Sequence, residues 1–161
     1  FARSWDRAGR WAIAVLVPGV IPAEARADDY LEAAAGLEAA GHERAAAIAY
    51  DAALARWPQQ PLAWLARGTA AYSAGQLAAA ADAYARAVTL APDDAVARNN
   101  LAQALADAGC PDAARRQLSR AEEHATGSEL AAAIAATRAQ LPADASTSAL
   151  SCLFGERDWP D

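Results

Sequence analysis

A chain of 161 residues with 14 basic against 20 acidic side chains, a formal net charge of −6, is long enough for one domain or one short solenoid with attachments. It has no basic stripe for phosphates, which argues against nucleic acid as a partner, and no apolar run near the roughly 20 residues that span a bilayer. Hydrophobic content is 55% but aromatic content only 7%, so the apolar side chains are mostly small, as suits helices packed closely together.

Residues 1–26 differ in pattern from the remainder of the chain. Trp11–Val17 is an unbroken apolar run closed by Pro18-Gly19, the pattern of a strand buried on both faces, which needs partners to satisfy its backbone. Two readings are open. Arg3, Arg7 and Arg10 followed by an apolar stretch and small residues around Ala23–Ala27 fit a secretory signal, although Asp6 and Pro18-Gly19 interrupt its regions. Alternatively, Ser4-Trp5-Asp6-Arg7-Ala8-Gly9-Arg10-Trp11, running through Val15-Leu16-Val17-Pro18-Gly19 to Ile21-Pro22-Ala23, resembles the last strand of bacterial C39-like cysteine peptidase modules that carry helical repeats at their C-terminus. That resemblance implies a catalytic part upstream of Phe1, a bacterial envelope location, and a role for this chain in presenting substrate. The absence of methionine and the start at Phe1 read as a piece of a longer product.

From Ala27 onward the spacing predicts pairs of helices. The first pair spans about Asp28–Ala40 and Glu43–Trp57, with Gly41 ending one helix and Pro58 forbidding continuation of the other. In the second pair Pro61 suits a first helical turn and Gly75 an end, and Trp64 is expected to fill the space left by small residues opposite. Asp93 and Asp94 place carboxylates at the start of the third pair, and Cys110-Pro111-Asp112 opens its second helix, with Cys110 expected at an accessible turn. Ser128 is expected to cap a final helix, 129–141. Beyond Pro142 the tail is linker-like, and Ala149–Phe154 fits a strand, a helical turn or a contact on the repeats.

The three pairs are one pattern repeated every 34 residues, over 27–60, 61–94 and 95–128. Trp64 aligns with Tyr30 and Arg98, Gly68 with Ala34 and Ala102, and Gly75 with Gly41 and Gly109. Ala80 aligns with Ala46 and Ala114, Tyr84 with Tyr50 and Leu118, Ala87 with Ala53 and Ala121, and Pro92 with Pro58 and Thr126. This arrangement resembles the tetratricopeptide repeat. The resemblance implies an all-α right-handed superhelix of three helical hairpins over 27–141, closed by a capping helix. Arg98 and Thr126 depart from the pattern, as expected at the end of a stack.

In such proteins the first helix of each pair lines a concave face that takes an extended peptide or a partner helix. The resemblance places Leu31 and Ala35 there, with Leu62, Leu65, Ala66, Thr69 and Tyr72, and then Asn99, Asn100 and Gln103. Asp28, Glu38, Ser73, Ala106 and Asp107 flank them. The amides could pair with a peptide backbone without demanding charge. In the subgroup that clamps a C-terminal carboxylate, Leu31, Ala35, Ala66, Val96 and Asn100 stand where lysine, arginine or asparagine is expected, so that ligand is disfavoured. The partner expected is a protein or peptide, with self-association as the plain alternative and no cofactor.

Little else carries chemistry. Cys110 and Cys152 fit neither a disulfide framework nor a zinc site, and an incidental structural role is expected of both. His42 and His124 fall in or near turns of different repeats with no second ligand or nucleophile close in sequence, and so no catalysis is expected within this chain.

Overall fold

The computed structural model describes residues 26–142, 152–155 and 157–160, and the strand expected at Trp11–Val17 lies outside them. The described residues form seven helices and no strand: α1 Ala27–Ala39, α2 Glu43–Arg56, α3 Pro61–Ser73, α4 Leu77–Leu90, α5 Ala95–Asp107, α6 Pro111–His124 and α7 Ser128–Ala139. Each is paired antiparallel with the next up to α6, and α7 closes the array.

The hairpin bends are alike down to their hydrogen bonds. Gly41, Gly75 and Gly109 hold φ of +77°, +72° and +75°, a left-handed conformation that costs a side-chain-bearing residue about 1–2 kcal/mol. At each bend the glycine N–H donates three residues back, to Glu38, Tyr72 or Ala106 O. The next residue, His42, Gln76 or Cys110, donates five back, to Leu37, Ala71 or Leu105 O. These are Schellman closures, which satisfy the last carbonyls of one helix while aiming the chain into its partner.

The helix starts are less uniform. Asp94 accepts from the Val96 and Ala97 N–H groups at 2.9 and 3.1 Å, as a carboxylate at a helix N-terminus should. Ser128 does not cap α7 as expected. Gly127, at φ +87°, takes the capping position and turns the chain so that Ser128 is already helical.

The first helices stand in a row, α1 on α3, α3 on α5 and α5 on α7, with the second helices behind them. The core falls into two apolar clusters. One joins α3 through α7, and the other is confined to the first hairpin and Ala63 of α3. Between hairpins one and two the packing is largely alanine on alanine, supplemented by an Arg67–Asp51 ion pair at 2.6 Å.

Two side chains revise the expected packing. Trp64 is only half-buried, and its Nε1 donates to Pro58 O at 2.9 Å. One repeat later Arg98 is 3% exposed, and its Nε donates to Pro92 O at 2.7 Å while its Nη1 donates to Gln117 Oε1 at 2.9 Å. The guanidinium thus reproduces the indole's bond at the matching place. Arg98 is therefore no relaxation at a loosely packed end, because burying a charge is tolerable only when its donors are met.

The cysteines also depart from expectation. Cys110 and Cys152 form a disulfide, their Cα atoms 4.6 Å apart although 42 residues separate them in sequence, and Cys110 is 4% exposed. The pairing could not be read from spacing because it depends on the tail folding back over the α5–α6 bend. There Leu153 N–H donates to Ala108 O at 3.0 Å, and Gly155 N–H to Cys152 O at 3.1 Å closes a turn. Of the three readings of the tail run, the described part is therefore a contact on the repeats.

This packing sets the outcome of two substitutions. A Cβ at Gly68 would sit 2.5 Å from Tyr84 Cδ1, so Gly68→Ala should lose about 1–2 kcal/mol net, overpacking of about 1–3 outweighing the helix-propensity gain. Combined with Tyr84→Leu, the pairing found at Ala102 and Leu118, it should cost less in urea midpoint than the two changes summed. Cys152→Ser should lower stability by about 4 kcal/mol, the loop-closure value for 42 residues, seen as a fall in the urea midpoint under non-reducing conditions.

Candidate functional site

The row α1, α3, α5 and α7 exposes one continuous face, and the repeat register decides what it presents. Second positions of the three hairpins are Asp28, Leu62 and Val96. Leu62 is 58% and Val96 43% exposed, two large apolar side chains one repeat apart on adjacent helices. Leu65, Ala66, Asn99 and Asn100 lie half-buried beside them, and Ala35 is exposed. Leu31 does not line the face. It is 8% exposed and belongs to the core of the first hairpin.

Toward the C-terminal ends of these helices the face is polar and internally bonded. Tyr72 Oη donates to Asp107, Gln103 Nε2 donates to Asp107 Oδ1 at 3.2 Å, and Gln103 Nε2 also meets Gln140 Oε1 at 3.0 Å. Tyr72, Gln103 and Asp107, expected separately on this face, are thus one ladder across α3, α5 and the end of α7. Thr69 is occupied as well: its hydroxyl donates to Leu65 O at 3.1 Å and accepts from Tyr84 Oη at 3.3 Å. Glu38 accepts from Tyr50 Oη at 3.0 Å.

The amides differ from one another. Asn99 Oδ1 is enclosed with no hydrogen-bond partner, where an incoming group does not reach it. Asn100 is half-buried with no side-chain bond among the described residues, which makes it the better placed of the two for a peptide backbone. Val96 and Gln140 were not among the expected lining residues. Val96 was legible, lying 34 residues after Leu62, whereas Gln140 was not, because only the packing of α7 on α5 brings it to Gln103.

Elsewhere the structure offers less. A depression of about 390 Å³ between the first two bends is lined by Glu38, Glu43, Arg44, Arg67, Ser73 and Gln76, with acids and bases in balance. His124 Nε2 lies 3.5 Å from Asp93 Oδ1 at the surface, far in sequence from exposed His42. Among the described residues no three potential ligands converge on a metal position, and no helix is long and apolar enough to cross a membrane.

Known proteins share this geometry. Residues 71–137 match the tetratricopeptide repeat family model. Among solved structures the chain is similar to the P58(IPK) TPR domain, with a TM-score of 0.67 and 22% identity over 72% of this chain and 32% of that one. The chain thus spans about a third of that structure's length. No curated protein sequence matches. The fold is accordingly the right-handed superhelix of tetratricopeptide repeats. The peptidase-like segment lies outside the described residues, and neither match supports the peptidase resemblance.

The four tyrosines give this fold an alkaline limit. Tyr30, Tyr50, Tyr72 and Tyr84 all have phenol pKa values raised, chiefly because burial disfavours the phenolate. For Tyr72 the bond to Asp107 adds to burial, and its pKa is pushed up to about 12. Phenols that ionise near 10 when unfolded but later when folded contribute stability that is complete below pH 10 and lost as pH rises through the folded values. The urea midpoint should therefore fall steadily between pH 10 and 12, and Tyr72→Phe should flatten that slope. An unchanged slope in the variant would exclude Tyr72 as a contributor.

Proposed function

We propose that this array is a protein-binding module whose inner face holds an extended peptide or a partner helix against Leu62, Leu65 and Val96. The carrying observation is the pair Leu62 and Val96, exposed at equivalent positions of neighbouring helices. A helix that needs only to pack would keep such side chains turned inward. Ala35, Ala66 and Thr69 keep the centre low and small, while Asn100 offers donor and acceptor to a backbone. The Tyr72, Gln103 and Asp107 ladder holds α3 and α5 at fixed separation, a preorganised surface that loses little entropy on binding. Exposed Asp28 and Glu32 at the first-repeat end favour a ligand with positive charge there. The Cys110–Cys152 bond favours work in an oxidising compartment, where such bonds persist.

The test compares two surfaces of the same chain. Leu62→Asp with Val96→Asp should abolish capture of partners from an extract of the source cells, with the melting temperature within about 2 °C of the unaltered chain. Ile48→Asp, which alters an exposed apolar residue on α2 instead, should retain them. Partners kept by the groove variant would overturn the proposal, and a groove variant that alone remains monomeric in sedimentation would identify the partner as a second copy.

A further inference from the structure

The tail occupies a built site on the opposite side of the array. From the α5–α6 bend, where Cys152 is bonded to Cys110, it reaches α4 and α6. Arg157 Nη1 pairs with Asp82 Oδ1 at 2.5 Å, and Gln117 Nε2 donates to Pro160 O at 2.7 Å. Trp159 is 8% exposed and joins the main apolar cluster, with Phe154 edge-on to its ring and the Arg157 guanidinium 4.4 Å from its centroid. Gln117 itself is 2% exposed and also accepts from Arg98. The seat therefore has four recognition elements. They are a buried amide donor for a peptide carbonyl, the Ala108 carbonyl for a peptide N–H, a carboxylate for arginine, and an apolar place for an aromatic ring.

We infer that this outer seat between α4 and α6 is a second peptide-binding site, specific for a short segment carrying arginine two residues before tryptophan, which the chain's own tail fills under a disulfide latch. The noncovalent part of the contact is modest. The ion pair is surface-exposed on both sides and contributes little, so Trp159 and the Gln117 bond carry most of the affinity. The latch anchors the segment at Cys152, beside the seat, and so raises the local concentration of Arg157 and Trp159 there.

Opening the latch requires a dithiol reductant. Its thiolate attacks Cys152 Sγ, the half-buried member of the pair, and expels the Cys110 sulfur as thiolate, leaving a mixed disulfide. The second thiol resolves that bond. Two electrons and two protons then reside on the two cysteines, and the reductant departs as its own disulfide. The residues between Pro142 and Cys152 still tether the segment, at an effective concentration on the order of millimolar. Reduction therefore lengthens the tether and turns a seat held filled by proximity into one more open to competition.

The experiment uses full-length chain and a fluorescein-labelled synthetic peptide with the sequence of residues 153–161. The variant Cys152→Ser/Trp159→Ala, which removes latch and anchor together, should bind the peptide saturably at one site, and the oxidised unaltered chain should not. Adding Asp82→Arg should weaken binding by about two- to fivefold, the range expected of an exposed ion pair. Equal binding to both chains, or no binding to a variant that keeps its helical circular dichroism, would overturn the proposal. Hydrogen exchange on the unaltered chain gives an independent reading. Dithiothreitol should lower protection of residues 152–160 at least tenfold while the helices stay protected, and protection that persists in the tail or vanishes from all seven helices would also refute it.

Discussion

The left-handed glycine at each hairpin bend is the constraint on which the rest depends. A backbone at φ near +75° is open to glycine and costly to almost any other residue. Placed every 34 residues, it stops a helix at the same length each time and returns the chain at the same angle. Equal helices with equal bends can only stack in one register. That register puts every first helix on one side and every second helix on the other, and both proposed sites are consequences of it.

The interior then solves one problem in different ways. Where α3 meets α4, glycine makes room for a tyrosine ring; at the matching positions of α5 and α6, alanine and leucine are buried in the same apolar cluster. Where α3 carries an indole, α5 carries a guanidinium that donates to the equivalent carbonyl at the end of the preceding repeat. The repeat conserves geometry and hydrogen-bond demand within this chain, and side-chain type varies around them. Arg98 also shows what such a change entails. Its second donor needs Gln117, and Gln117 in turn needs the tail carbonyl of Pro160. A substitution in the third repeat is thereby tied to the fate of the C-terminus.

The two surfaces differ in character. The inner face is open, with leucine and valine exposed and a polar ladder fixing its width. The outer seat is closed, filled by an aromatic residue and held by a covalent bond. In the proposed reading the first is open to a partner at all times, and the second only when its latch is open. They share α5, whose inner side carries Val96 and Asn100 while Arg98 points into the core toward the outer seat.

The period of 34, the bends at Gly41, Gly75 and Gly109 and the carboxylates Asp93 and Asp94 at the start of α5 were legible in the sequence, as was the position of Leu62, Tyr72 and Gln103 on first helices. Each depends on a residue's own backbone preference or on helical periodicity, which are local properties. The depth of burial was not legible. Trp64 stayed half-exposed and Arg98 was enclosed, because burial is set by what a neighbouring element or the tail lays on top. The Cys110–Cys152 bond and the Gln103–Gln140 pair belong to the same class. They join positions far apart along the chain, and only the stacked array brings them within reach, so composition and spacing had no means of foretelling them.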